Sequence, residues 1–328
     1  MSVSRKFFVC IALCIAALLI AGAAKAQTKP PQETRNAALR YWLAFADMQD
    51  PNSDPATRTL LGKTAAGEAP WDEAKLGAIL DKNEAAIMRM QRATKLPDCD
   101  WGIEYSDGPT ASIAYAPRAR VMASLNTLYG MRQAAKGNQQ AAVQTWLDGI
   151  RFSQDVAKGG SLIFALIAKL SLIADLHAIA QAAQSGKLSR AERQQVAQVV
   201  SALPDSVFDW SNAEALEEGT IELALDQMEK SENPANAYAE IMGKDVPPHL
   251  VFPTPSDRAA FHKFALSVAE AFQLPPDQTQ TKLPALQKTL NSLNPFYPEL
   301  VPSLTRSNDS RLEIATARQA LLKALATN

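Results

Sequence analysis

Apolar residues recur at the helical period along nearly the whole chain. Ala37, Leu39, Tyr41, Trp42, Phe45 and Met48 follow it through residues 33 to 49 before Pro51 stops the run. Asp54-Pro55 supplies an N-cap and first-turn pair, and Gly67 a stop. Trp71, Leu76, Ile79, Leu80, Ile87 and Met90 stripe a helix that ends before Pro97. After an irregular loop, Pro117 opens a helix closed by Gly137. Asn138 starts the next, with Val143, Trp146, Leu147 and Ile150 on one face and Gly159-Gly160 at its end. A third runs from Ser161 to Gln184 and stops at Gly186. Turns this short force the three to fold back antiparallel. Ser189 with Glu192, Ser211 with Glu214 and Ser310 with Glu313 read as capping boxes. No stretch shows the alternation or turn chemistry of strands. The pattern predicts an all-α protein of roughly ten to twelve helices, a bundle or solenoid-like array of antiparallel hairpins.

The segment from Ser161 to Gln184 is apolar nearly all round, so it is either central or membrane-spanning. The ten Leu, Ile and Phe of residues 161 to 180 favour insertion by roughly 3 to 6 kcal/mol. Lys169 and Asp175 oppose it by roughly 5 to 7 kcal/mol, and His177 adds to that. The expectation is a core strut and no transmembrane segment in the mature chain.

Composition adds a compartment. Arg5 and Lys6 precede an uncharged apolar run from Phe7 to Ala24, and Ala24-Lys25-Ala26 fits a leader cleavage site. Residues 1 to 26 read as a signal peptide, and position 27 is Gln rather than a lipid-accepting Cys. Cleavage near Ala26 leaves 30 basic against 34 acidic side chains and Cys99 as the one cysteine, so no internal disulfide forms. The expected location is periplasmic or secreted. Near-neutral charge excludes nucleic acid as a partner. Residues 27 to 242 read as the main hairpin domain, with an irregular loop over 97 to 117. Residues 243 to 328 read as a Pro-rich extension of short helices and connectors packing on it, since ten of the twenty prolines fall between Pro247 and Pro302.

The tetratricopeptide pattern, with Trp146 as its first aromatic, wants Leu at 149 and Gly at 150, where the chain has Gly149 and Ile150. The likeness is one of architecture at most. The loop Pro97-Asp98-Cys99-Asp100-Trp101-Gly102, followed by Arg118-Ala119-Arg120 and the Gly137 hairpin, resembles uncharacterised secreted all-helical bacterial proteins over roughly residues 90 to 230. That resemblance implies an exported helical protein and attaches no activity.

Familiar chemistry is missing from the sequence. Gly62-Lys63-Thr64 lacks the glycine a phosphate loop needs at Thr57. Hydrolase elbows, zinc-protease pairs and dinucleotide glycines are absent, and no Glu lies three residues before His177, His249 or His262. Three constellations remain. The loop carries Asp98, Cys99, Asp100, Trp101, Glu104 and Asp107. Its acids either cap turns, with Trp101 plugging the loop onto the bundle, or form a calcium-binding, ligand-binding or catalytic loop. Glu214, Glu218, Glu222 and Asp226 stand at i+4 steps with Glu217 and Glu229 beside them. They form a solvated face, an ion network with Arg190, Arg193, Arg118 or Arg120, or a site for a cationic partner. Lys169, Asp175 and His177 form a candidate buried polar set on the apolar helix. Lys169 and His177 fall on roughly one side, and Asp175 about 160° from His177. Each either pairs with a neighbouring helix or lines a pocket. His249 and His262 read as surface or connector residues.

The leading expectation is an exported, non-catalytic helical scaffold with an unknown protein partner and no cofactor or metal, calcium being the one candidate ion. The alternatives are an α/α-toroid enzyme cutting polysaccharide with acidic residues such as Glu104 and Glu218, or a carrier of lipid or another apolar ligand.

Overall fold

The computed structural model describes residues 34–51, 54–111, 113–243 and 251–327. The expected leader, residues 1 to 26, and His249 lie outside the described residues. From Asn36 on, the chain forms one compact unit.

Thirteen α-helices make up the described residues, and no strand is among them. The first three are α1 (Ala37–Asp47), α2 (Pro55–Ala65) and α3 (Glu73–Ala93). A 3-10 turn over Tyr105–Thr110 interrupts the loop that follows. Then come α4 (Tyr115–Ala135), α5 (Gln139–Ala157), α6 (Leu162–Gln184), α7 (Arg190–Ser201) and α8 (Trp210–Lys230). The C-terminal part holds α9 (Pro234–Met242), α10 (Pro255–Gln273), α11 (Pro276–Leu290), α12 (Phe296–Leu300) and α13 (Leu304–Ala326).

The antiparallel trio α4–α5–α6 forms as the pattern predicts. Asp54 caps α2 through its carboxylate with Pro55 at the first position, and Ser189 and Glu192 form the expected capping box. The other two predicted starts are wrong. The helix near Ser211 begins at Trp210, capped by Asp209, and Ser211 Oγ donates 2.8 Å to the Ala269 carbonyl. Ser310 sits inside α13, whose cap is Ser303, and its hydroxyl donates back to Arg306 O. Both Ser-x-x-Glu pairs are drawn into interhelical contacts, which the local motif cannot register. The Pro-rich stretch also departs from expectation. Pro255 and Pro276 are first-turn residues that start helices of 19 and 15 residues, because proline costs nothing where the N–H has no intrahelical partner.

Helix α6 is the axis of the unit. It packs on α4 and α5, on α8, and on α13, which returns from the far end of the chain. Among the described residues it is the one helix long and apolar enough to cross a membrane by length and composition, and 61% of that stretch is buried within the protein. Asp175 lies fully inside, where burial holds its carboxyl protonated far above the usual carboxylate range. It sits 2.7 Å from Thr127 Oγ1, which is 3.1 Å from the Ala123 carbonyl. Thr127 Oγ1 donates to Asp175 and shares its proton with the Ala123 carbonyl one turn back.

Gly149 makes this approach possible, since a Cβ there would overlap Asp175 Oδ2 and crowd Asn126 Nδ2. Alanine in place of a helical glycine ordinarily gains about 1 kcal/mol. Here Gly149→Ala is expected to destabilise the protein by about 1–3 kcal/mol in urea unfolding. A neutral or stabilising effect would show that α5 and α6 have slack at this crossing.

Candidate functional site

The loop is held as a plug. Trp101 is 7% exposed, donates 2.7 Å from its indole to Asp155 O and stacks on Tyr115 at 3.8 Å between ring centroids. Tyr115 stacks in turn on Phe164 of α6 at 4.5 Å. Asp155 is itself fully buried, receives Tyr41 Oη at 2.8 Å and pairs with Lys158 at 2.9 Å. Asn36 completes the clamp, its Oδ1 accepting from Asp100 N and its Nδ2 donating to Asp100 O. Cys99 points its thiol toward Asp155 O, and burial raises its pKa to about 12, which disfavours the thiolate. Asp98, Asp100, Glu104 and Asp107 all lie on the exposed side of the loop. They do not converge: no group of three or more His, Cys, Asp or Glu is placed to hold a metal ion among the described residues.

The acidic row faces α10. Arg258 pairs with Asp226 at 2.7 Å, Glu222 at 3.2 Å and Glu229 at 3.2 Å. Hydrogen bonding to Arg258 holds the Asp226 carboxyl below the usual range. His262 is a surface residue, as the sequence suggests, and its Nδ1 lies 2.6 Å from Glu218. The arginines expected to answer the row work elsewhere. Arg193 binds the carbonyls of Ala183, Leu188, Ala324 and Leu325, and Arg118 binds Phe45 O.

The first two acids of the α8 cluster turn inward. Glu217 accepts 3.1 Å from the Leu162 N–H, capping α6 where Ser161 makes no side-chain cap. Glu214 is 6% exposed, and burial raises its pKa to about 8. Buried Arg311 nearby is pushed down to about 10. Its guanidinium bonds Thr279, Asn308 and the Leu274 carbonyl and lies over the Phe272 ring at 5.2 Å. Glu214, Glu217 and Glu218 line a slot of about 20 Å³ with Phe261, Phe264 and Val268, room for about one water.

Loop and acidic helix do touch. Gly108 packs against Leu223, and Gln227 Nε2 donates to Asp107 O at 3.4 Å. Yet Glu218 turns to His262, and Glu104 is not among the residues around the slot that Glu218 lines.

The set on α6 divides as the helical wheel requires. Asp175 is in the core. Lys169, with 12% of its side chain exposed, pairs with Glu313 of α13 at 2.6 Å. His177 is exposed, a correction to its place in the buried set: it lies on an arc of α6 whose residues stay exposed or half-buried among the described residues. Lys169, Leu170, Ile173, Ala174 and His177 floor a groove of about 300 Å³ that Gly62, Glu68, Arg120, Ser124 and Glu313 border. The arc extends toward the N-terminus of α6 through half-buried Leu166 to Ile163, 42% exposed; Leu170 is 50% exposed. Positions 163, 166, 170, 173 and 177 alternate steps of three and four, the repeat by which one helix seats another.

Compared with known proteins, the chain matches no family model, no curated protein and no solved structure.

Two measurements check the electrostatics. Arg258→Ala removes the shared counter-ion of three carboxylates and is expected to cost about 1–3 kcal/mol at low salt. The loss should shrink as salt is raised to about 0.5 M, and equal losses at both ionic strengths would refute an electrostatic role. Glu214 ionises near 4.3 when unfolded and at about 8 when folded. Between those values the folded state binds more protons, so its contribution to stability falls as pH rises. Glu214→Gln removes that dependence. Its stability relative to wild type should climb from about pH 5 to about pH 8, on the order of 1 kcal/mol per pH unit. A difference that stays flat with pH would mean Glu214 titrates normally in the fold.

Proposed function

We propose that the protein is an exported, non-catalytic helical scaffold that docks an amphipathic helix of a protein partner along the uncovered arc of α6. The observation that carries this reading is the three–four spacing of Ile163, Leu166, Leu170, Ile173 and His177 on a helix otherwise enclosed by α4, α5, α8 and α13. An apolar floor bordered by Arg120, Glu68 and the Lys169–Glu313 pair has the anatomy of an interaction site, apolar at the centre and charged at the rim. The arc spans 15 residues, about 21 Å, or four turns of a docked helix.

Export to the periplasm or the cell exterior is the reading that the basic, apolar and Ala-x-Ala pattern at the N-terminus supports. The resemblance to secreted helical proteins with a Cys-Asp-Trp loop points the same way. A non-catalytic role is supported by how the buried ionisable groups are used. Asp155, Asp175, Glu214 and Arg311 lie between helices, and Asp155, Asp175 and Arg311 are hydrogen-bonded to residues of other elements.

A photo-reactive residue at position 170, introduced in the native cells, should form an adduct with a partner. The same residue at exposed Met88 on α3 should not. Leu170→Asp should cut partner capture at least tenfold with an unchanged melting temperature. An adduct with a second copy would make the arc a dimer interface instead. No adduct at 170, or equal adducts at both positions, would overturn the docking reading.

A further inference from the structure

A helix that packs one side on a core ordinarily turns charge toward water on the other. Helix α1 does not. Tyr41, Ala44 and Phe45 are buried, while Leu39, Trp42 and Leu43 stand outside, between 38% and 54% exposed, with exposed Ala46 beside them. Their spacing of three and four residues puts all four on one continuous arc. Exposed Ile113 enlarges it from the loop before α4, two residues ahead of Tyr115, whose ring meets Trp42 edge-on at 6.1 Å. The two charged residues of α1 sit at the flank of the arc. Asp47 is answered by Arg89 of α3 at 2.8 Å, and Arg40 is half-buried.

The surroundings favour a bilayer over a second protein as the cover for this arc. Trp42 is braced edge-on by Phe45, Trp101 and Tyr115 at 6.0 to 6.5 Å, so its ring is fixed at the surface. A fixed Trp among exposed leucines is the composition of helices that lie in the headgroup region. The chain ahead of α1 points the same way. The uncharged apolar run Phe7 to Ala24 ends 13 positions before Ala37, a reach of at most about 45 Å. Helix α1 is thus the first described helix behind a segment of the kind that enters the bilayer during export. Charge agrees as well. Lys25, Lys29 and Arg35 precede α1, and Arg40, Arg89 and exposed Arg92 flank it, against Glu33, Asp47, Asp98 and Asp100 on the same stretches. The basic excess suits lipid phosphates.

We propose that α1 seats the protein on the surface of a phospholipid bilayer, with Leu39, Trp42, Leu43 and Ile113 entering the headgroup region and Arg40 and Arg92 facing lipid phosphates. The arc is too short to span and lies flat on the surface. It shares no residue with the arc of α6, so either proposal can fail without the other.

The test uses residues 27 to 328, which hold the whole compact unit that begins at Asn36. Sucrose-loaded vesicles of phosphatidylethanolamine with phosphatidylglycerol should carry the protein down on sedimentation. Vesicles of phosphatidylcholine alone should carry several-fold less, and equal binding would overturn the part given to Arg40 and Arg92. Leu39→Gln with Leu43→Gln should weaken binding at least fivefold with an unchanged melting temperature, since both side chains are exposed. Brominated lipid should quench the tryptophan emission, and Trp42→Phe should remove most of that quenching while the protein still binds. Leu170→Asp should leave vesicle binding unchanged. Protein that stays in the supernatant with both kinds of vesicle would overturn the proposal. So would binding indifferent to the double substitution, quenching that survives Trp42→Phe, or a dimer in solution that the double substitution dissolves while vesicle binding persists.

Discussion

A helix that is apolar on nearly every face cannot be satisfied by one neighbour, and α6 imposes that demand on the whole chain. Two helices adjacent in sequence, α4 and α5, cover part of its circumference. The rest of the cover has to come from far along the sequence, and it comes as α8 and α13. That requirement turns a row of hairpins into a closed bundle. It also explains why the last helix, with almost no amphipathic character of its own, still buries Leu304, Ile314, Leu321 and Leu325.

Enclosing α6 brings polar groups into the interior, and each is answered differently. Asp175 has its pKa raised by burial and accepts from Thr127. Asp155 keeps its place through Tyr41 and Lys158. Arg311 keeps its charge and spreads it over hydroxyl, amide, carbonyl and ring. Glu217 is placed where its carboxylate meets the first N–H groups of α6. The polar interior therefore fixes which helices meet and in what register, a role often filled by buried polar groups in helical proteins.

The helices were legible because their signals are local. Period, Asp54-Pro55, Gly137 and Gly186 each act within a few residues, and the loop's attachment through Trp101 followed from one large aromatic in a polar stretch. What stayed hidden depends on partners distant in sequence. The acidic row asked for cations, and the nearest in sequence, Arg190 and Arg193, were the natural candidates. The answer, Arg258 and His262, comes from a helix about 40 residues on that follows the prolines around 247. Ser211 and Ser310 mimic caps because the motif is four residues long and carries no information about interhelical bonding. The uncovered arc of α6 was invisible for the opposite reason: a helix apolar everywhere gives no sign of which face is left outside.

The half-buried position of Cys99 has a practical side. Its thiol lies 3.7 Å from the same Asp155 carbonyl to which Trp101 fastens the loop. An alkylating reagent reaches that sulfur faster when the strap lifts, so a rise in the rate of labelling reports openings of this one segment. The chain thus carries a built-in chemical gauge of local breathing, positioned where the loop and Asn36 meet the body of the fold.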